Sequence, residues 1–247
     1  MRIYVSNAEG IAKAASHSLI AQIDKKPDSV LGLATGTSPI MLYNEIVKEY
    51  LEGNVNFKRI TSFNLDEYVG LSGDHEQSYR KFMEKHFFNR INIEISNTHI
   101  PNGEAENPDE ECERYEELIR KAGGIDWQLL GIGLNGHIGF NEPGDSLIAV
   151  THMVRLKEET RSANAKHFNS REEVPTHAMT VGMASILKAK KIIVIAMGRE
   201  KAHIVQQTIM GPITTKLPAS FLQIHPDVTF FLDTESAMLL PRRLVIA

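Results

Sequence analysis

Ile192-Ile193-Val194-Ile195-Ala196-Met197 is an unbroken apolar run, closed by Gly198-Arg199-Glu200 and followed by a helical pattern over residues 201–209. A strand with one face in water alternates apolar and polar residues. A run that is apolar on both faces needs cover on both sides, as in a parallel sheet buried between helices. Working outward, residues 228–232 (VTFFL), 127–132 (WQLLGI), 60–65 (ITSFNL), 29–33 (SVLGL) and 3–5 (IYV) read as further strands. Helical patterns lie between them. Residues 8–25 carry Ile11, Ala15, Leu19 and Ile23 on one face, and residues 39–51 carry Leu42, Ile46, Val47 and Tyr50. Residues 77–88 and 107–121 complete the helices. This alternation predicts an α/β fold, an open, mostly parallel sheet with helices on both faces, Rossmann-like. Ligands of such sheets bind at the carboxyl ends of the strands, so chemistry is sought in the loops that follow them.

The chain has 247 residues, 42% of them hydrophobic, which suits one domain over residues 1–247. Residues 141–180 have the least regular pattern, and a lid is expected at about 156–175. The formal net charge is -4 and no basic tract is present, which argues against nucleic acid as a partner. No apolar run reaches the roughly 18 residues that span a bilayer. The start, Met1-Arg2-Ile3-Tyr4-Val5, lacks the apolar core of a signal peptide. Cys112 is the single cysteine, so no disulfide can form within the chain, and a cytoplasmic location is expected. Nothing around Cys112 resembles the activating surroundings of a nucleophilic thiol.

Three loops carry the candidate chemistry. Leu33-Ala34-Thr35-Gly36-Thr37-Ser38-Pro39 joins strand to helix. Thr37 or Ser38 can cap that helix and Pro39 suits its first turn. The same residues could make an ordinary capped turn or an anion site. No lysine follows the glycine, so this is not a Walker A loop. Phe63-Asn64-Leu65-Asp66-Glu67-Tyr68 sets two acids at a strand end, where loop acids are common and where a general base also belongs. The segment Gly131-Ile132-Gly133-Leu134-Asn135-Gly136-His137-Ile138-Gly139-Phe140-Asn141-Glu142-Pro143 contains G-x-G-x-x-G literally. Yet His137 and Asn141-Glu142-Pro143 are poor material for the helix a dinucleotide fingerprint should open, and the region about 20 residues on, Thr151-His152-Met153-Val154-Arg155, lacks the acid. What remains is a glycine-rich loop presenting Asn135, His137 and Glu142, and a histidine with a nearby carboxylate can move a proton near neutral pH.

These pieces, with Val69-Gly70-Leu71, Thr160-Arg161-Ser162-Ala163-Asn164, Ala178-Met179-Thr180-Val181-Gly182 and Gly198-Arg199-Glu200-Lys201-Ala202, resemble the glucosamine-6-phosphate deaminase family nearly end to end. The resemblance implies isomerisation and deamination of glucosamine 6-phosphate to fructose 6-phosphate and ammonia, with no cofactor and no metal. It implies Asp66 as the base for enolisation and His137 as the ring-opening residue, supported by Asn135 and Glu142. Relatives carry Asp or Asn at position 135. Asn cannot carry charge, so Glu142 is the expected partner of His137. The phosphate is expected on Thr35, Gly36, Thr37 and Ser38, with Lys201 and Lys166 as clamps. Lys166 falls where some relatives have Arg, and offers a point charge instead of a fork. Members activated by N-acetylglucosamine 6-phosphate carry Arg and Lys where this chain has His152 and Val154, so a non-allosteric monomer or small oligomer is expected, acting on a small molecule with no nucleic acid or membrane partner. A 6-phosphogluconolactonase needs no base for a carbon-bound proton, and a sugar-phosphate sensing module would be expected to lose Asp66, His137 and Glu142. Both are weaker readings. His75, His86, His99, His177 and His225 read as surface or packing residues, and residues 241–247 have no assigned role.

Overall fold

A computed structural model describes residues 1–165, 168 and 170–244 of the protein. In chain order the elements are β1 (Arg2–Val5), α1 (Ala8–Lys25), β2 (Val30–Leu33), α2 (Thr37–Leu51), β3 (Thr61–Asn64), β4 (Asp66–Tyr68), α3 (Tyr79–His86), β5 (Thr98–His99), α4 (Pro108–Lys121), β6 (Trp127–Gly131), β7 (His152–Arg155), α5 (Glu158–Asn164), β8 (His177–Thr180), α6 (Met183–Leu187), β9 (Ile192–Ala196), α7 (Ala202–Met210) and β10 (Val228–Leu232). Short 3-10 turns fill several connections.

Seven strands form one parallel sheet in the order β1-β10-β9-β6-β2-β3-β5. The apolar run Ile192–Ala196 is β9, held between β10 and β6. All five of its side chains are buried, and each large branched one contributes about 1.5–3 kcal/mol by leaving water. α1 starts where its pattern indicated, capped by the Asn7 side chain accepting from the Gly10 amide at 2.8 Å. Its buried face is Ile11, Ala15, Leu19 and Ile23.

The strand order reverses between β2 and β6. From β2 the chain builds outward through β3 and β5, and from β6 through β9 and β10. A crevice opens at such a switch point, beyond the carboxyl ends of the strands. The segments that follow β2, β3, β6 and β9 therefore share one rim, and every candidate residue in the described part of the chain stands on them, Asp66 at the start of β4 and Thr37 and Ser38 at the start of α2.

Two expectations need correction. The stretch 141–180, the least regular in sequence, supplies β7, α5 and β8. With β4 it makes a second, antiparallel sheet in the order β4-β8-β7. These strands have three or four residues, β4 wholly buried and β7 largely half-exposed, which leaves little period to read. The cap of α2 is also not the hydroxyl predicted. Gly36 occupies the cap position at φ 101°, with no side chain bonded to the first turn, and Thr37 and Ser38 are the helix's first residues. Lys166 and residues 245–247 of the tail lie outside the described residues, as does part of the 156–175 segment.

Candidate active site

The small sheet indexes Asp66 to the glycine-rich loop. At Leu65 the chain leaves the parallel sheet. Its amide donates to Leu33 O at 3.1 Å, and its carbonyl accepts from the Val181 amide at 2.7 Å. Asp66 then pairs with Thr180 across the antiparallel ladder. The Thr180 hydroxyl accepts from the Phe140 amide at 3.1 Å. The Asn141 side chain donates to Ile138 O at 2.9 Å and Val181 O at 2.8 Å. The loop behind His137 is thus pinned to the strand opposite Asp66. Gly139 makes the approach possible. Its φ is +57°, and a Cβ there would stand 2.8 Å from Thr180 Oγ1 and 3.3 Å from Asp66 Oδ2.

Asp66 is buried. Loss of solvent, with the Glu67 charge beside it, pushes its carboxyl up to about 8. Neighbouring side chains of a strand point to opposite faces, and Glu67 turns to α3. Its two oxygens accept from the amides of Tyr68, Tyr79 and Arg80 at 2.9–3.0 Å. Sequence set the two acids side by side. In the fold one faces the glycine-rich loop and the other ties down a helix start.

His137 packs flat against Gly133, where a Cβ would lie 2.3 Å from its Cε1. Its Nδ1 is buried, without a hydrogen bond, and stands 3.5 Å from Glu142 Oε1. Glu142 is held from both sides. Asn135 Nδ2 donates to Oε2 at 2.7 Å, and the Thr160 hydroxyl donates to Oε1 at 2.8 Å. Asn135 also accepts from the His137 amide at 3.2 Å. Desolvation lowers the imidazole's affinity for a proton, Glu142 opposes this, and Lys201 and Lys157 add to it. A neutral imidazole at the rim, backed by a carboxylate, can accept and return a proton.

Lys201 lies just ahead of α7 and reaches back to the same loop, with Nζ donating to Ile132 O at 2.6 Å. Burial holds its ammonium below the usual lysine range. Thr35, Gly36, Thr37 and Ser38 follow β2, the strand between β3 and β6. Fold and hydrogen bonds bring Asp66, Asn135, His137, Glu142 and Lys201 to one loop, with the Thr35–Ser38 turn on the neighbouring strand. Among the described residues, no group of three or more His, Cys, Asp or Glu is placed to hold a metal ion. Cys112 is buried on α4, its thiol pushed up to about 12, an inert environment. His225 and His99 pack as expected, His225 against Ala189 O and His99 stacked on Phe63.

Two contacts on Glu142 were not assigned from sequence. Thr160 opens the stretch Thr160–Asn164, and Lys157, whose ammonium stands 3.9 Å from Glu142 Oε2, lies in the charged run Lys157-Glu158-Glu159. No local signal marks either, because the partner lies in another loop.

Residues 6–230 match the family described as glucosamine-6-phosphate isomerases/6-phosphogluconolactonase. A glucosamine-6-phosphate deaminase of Thermoanaerobacter pseudethanolicus is 52% identical over 242 residues, which cover 98% of this chain and 96% of that one. One from Clostridium perfringens is 52% identical over 241 residues, covering 97% and 100%. The solved structure of a monomeric glucosamine-6-phosphate deaminase superposes with a TM-score of 0.94 at 44% identity, covering 97% of this chain and 100% of that one. A 6-phosphogluconolactonase from Trypanosoma cruzi shares the fold, with a TM-score of 0.79 at 19% identity.

Proposed function

Because the chain belongs to the family of glucosamine-6-phosphate isomerases and 6-phosphogluconolactonases, we propose that it works there as a deaminase, converting glucosamine 6-phosphate and water to fructose 6-phosphate and ammonia. The observation that carries this reading is the placement of Asp66. A buried carboxylate pushed up to about 8 is a stronger base than an ordinary aspartate once it has lost its proton, and it faces the loop that holds His137. A lactonase has no carbon-bound proton for such a base to move.

The proposed steps follow from these positions. The phosphate anchors on the Thr35–Ser38 turn and Lys201, so that binding energy remote from the reacting carbons fixes their place. His137 takes the proton of the anomeric hydroxyl and gives one to the ring oxygen, opening the ring, while Glu142 steadies the imidazole. Asn135 cannot carry charge, and its part is to hold Glu142 Oε2. Asp66 removes the proton from C2 of the open chain and returns one to C1. Water then adds to the imine at C2 and ammonia leaves. Each well-placed acid or base contributes about 10²- to 10⁴-fold. No step requires a metal or a cofactor.

Lys166 would add a second cation to the phosphate, and the segment 156–175 would close over the site as a lid within a single domain. The protein is read as a cytoplasmic monomer or small oligomer, acting on a small molecule and apart from nucleic acid and membrane. No helix among the described residues is long and apolar enough to cross a bilayer. The enzyme is read as non-allosteric, because His152 and Val154 bring no strong cationic pair; a sigmoidal rate curve straightened by N-acetylglucosamine 6-phosphate would contradict this. To test the main reading, purified protein is offered glucosamine 6-phosphate and 6-phosphogluconolactone side by side. Turnover of the amino sugar, with lactone hydrolysis at the uncatalysed rate, is expected. The reverse preference would refute it.

A further inference from the structure

Leu156 is buried against the cluster of Tyr68 and Phe140, and this anchors the chain just before α5. Lys157 follows in extended conformation at the cap position of the helix, and Thr160 comes three residues later. Residues three apart near a helix start share a face, and this face meets Glu142. Thr160 bonds Oε1. Lys157 Nζ donates to the Pro143 carbonyl at 2.9 Å and stands 3.9 Å from Glu142 Oε2. We propose that Lys157 is a positioning residue of the ring-opening site: anchored on the Pro143 carbonyl, its ammonium holds Glu142 beside His137 and takes a share of the carboxylate's charge that would otherwise fall to the imidazole. The inference rests on the ring-opening role given to His137 above.

At 3.9 Å the ammonium and the carboxylate interact through charge, since the hydrogen bond goes to the neighbouring carbonyl. Glu142 is nearly buried, its side chain 7% exposed, so a charge at its edge is incompletely screened. The charged groups around His137 are Glu142 from its own loop, Lys201 from the turn before α7, and Lys157 from the start of α5. Glu142 alone favours the imidazolium. The two lysines oppose it, and Lys157 does so from the far side of the carboxylate. Burial first, and then the two lysines, hold the histidine toward its neutral form, free to accept a proton, despite an adjacent acid. The same contact joins the head of α5 to the loop of His137 and Glu142.

The test follows the His137 imidazole by NMR titration of histidine-labelled protein, with the resonance assigned from His137→Gln. The wild type is compared with Lys157→Met and Lys157→Arg. Lys157 is 44% exposed, so neither variant disturbs the core. The Met variant is expected to raise the His137 midpoint by about half a pH unit, the size fitting a partly exposed pair. The Arg variant is expected to restore it. A midpoint that stays unchanged or falls in the Met variant, or a shift that Arg fails to reverse, overturns the proposal. The titration needs no turnover, so a protein that released no ammonia would refute the proposed function and still decide this one.

Discussion

The Thr160 hydroxyl donates to Glu142 Oε1 at 2.8 Å, and that oxygen stands 3.5 Å from His137 Nδ1. A carboxylate oxygen can accept twice, so Thr160 fixes the acceptor that the imidazole will use as it takes up a proton. Thr160→Val keeps the shape and removes the donor. A hydrogen bond to a charged group is worth about 1.5–3 kcal/mol, so kcat is expected to fall about tenfold or more. KM for glucosamine 6-phosphate should hardly change, and Thr160→Ser should recover most of the rate. Steady-state kinetics of the three proteins check this.

Asp66 works only after losing its proton, and burial pushes that event up to about 8. In the free enzyme, kcat/KM is expected to rise with pH through the range around 8 and then level. Asp66→Asn should lose about 10²-fold or more above pH 8, with the gap narrowing as the wild-type carboxyl protonates at lower pH. A rate profile flat between pH 6 and 9 would remove Asp66 from the role of base.

The same burial carries a cost in stability, and its sign can be worked out. An acid whose folded pKa lies above its unfolded value binds its proton more tightly when folded. Its contribution to stability is full below the unfolded pKa, about 4, and is lost as pH rises through the folded value. Asp66, pushed up to about 8, and Glu67, to about 7, both act in this direction, so the native state loses stability between about pH 4 and 8 on their account. Asp66→Asn removes the larger of these effects. Its Tm should exceed that of the wild type at pH 8.5, by about 2–4 °C for each kcal/mol regained, with a smaller difference at pH 5. Thermal melts at the two values measure the contrast.

Much of this was legible in the sequence, for reasons that differ from part to part. The parallel sheet could be read because β9 is apolar throughout and buried on both faces, and β6 is apolar but for Gln128. α1 could be read because its apolar residues recur at helical spacing on one face. Asp66, Asn135, His137, Glu142 and the Thr35–Ser38 turn were all found as loop residues after strands, and the fold gathers them on one rim. The small sheet was not legible. Asp66-Glu67-Tyr68 and His177-Ala178-Met179-Thr180 are short strands whose pairing depends on a partner more than a hundred residues away. Nor could local sequence show that Glu67 faces α3 while Asp66 faces Gly139, or that Gly36 would take the cap position in place of a hydroxyl.

Gly133 separates folding from chemistry. A Cβ at this position would meet the His137 ring at 2.3 Å, while the glycine's φ lies outside the left-handed region. Gly133→Ala is therefore expected to fold and to drive the imidazole out toward solvent, since the His137 side chain is already 29% exposed. kcat should fall about 10²-fold, the weight of one acid–base group, with Tm within a few degrees of wild type. Melting and rate measurements on one preparation check both halves.

Lys201 should act on the phosphate end. One of its donors goes to Ile132 O, and an ammonium has two more for a ligand. Lys201→Met is expected to raise KM for glucosamine 6-phosphate about tenfold or more while lowering kcat less. The residual activity on unphosphorylated glucosamine should be unchanged. An equal loss on both sugars would place Lys201 with the loop and not with the phosphate.

The most direct test of the account is to incubate the purified protein with glucosamine 6-phosphate and measure ammonia and fructose 6-phosphate together, beside Asp66→Asn. Equal amounts of the two products are expected from the wild type, and about a hundredth as much or less from the variant. A folded wild type that releases no ammonia, or an Asp66→Asn protein as active as the wild type, would contradict it.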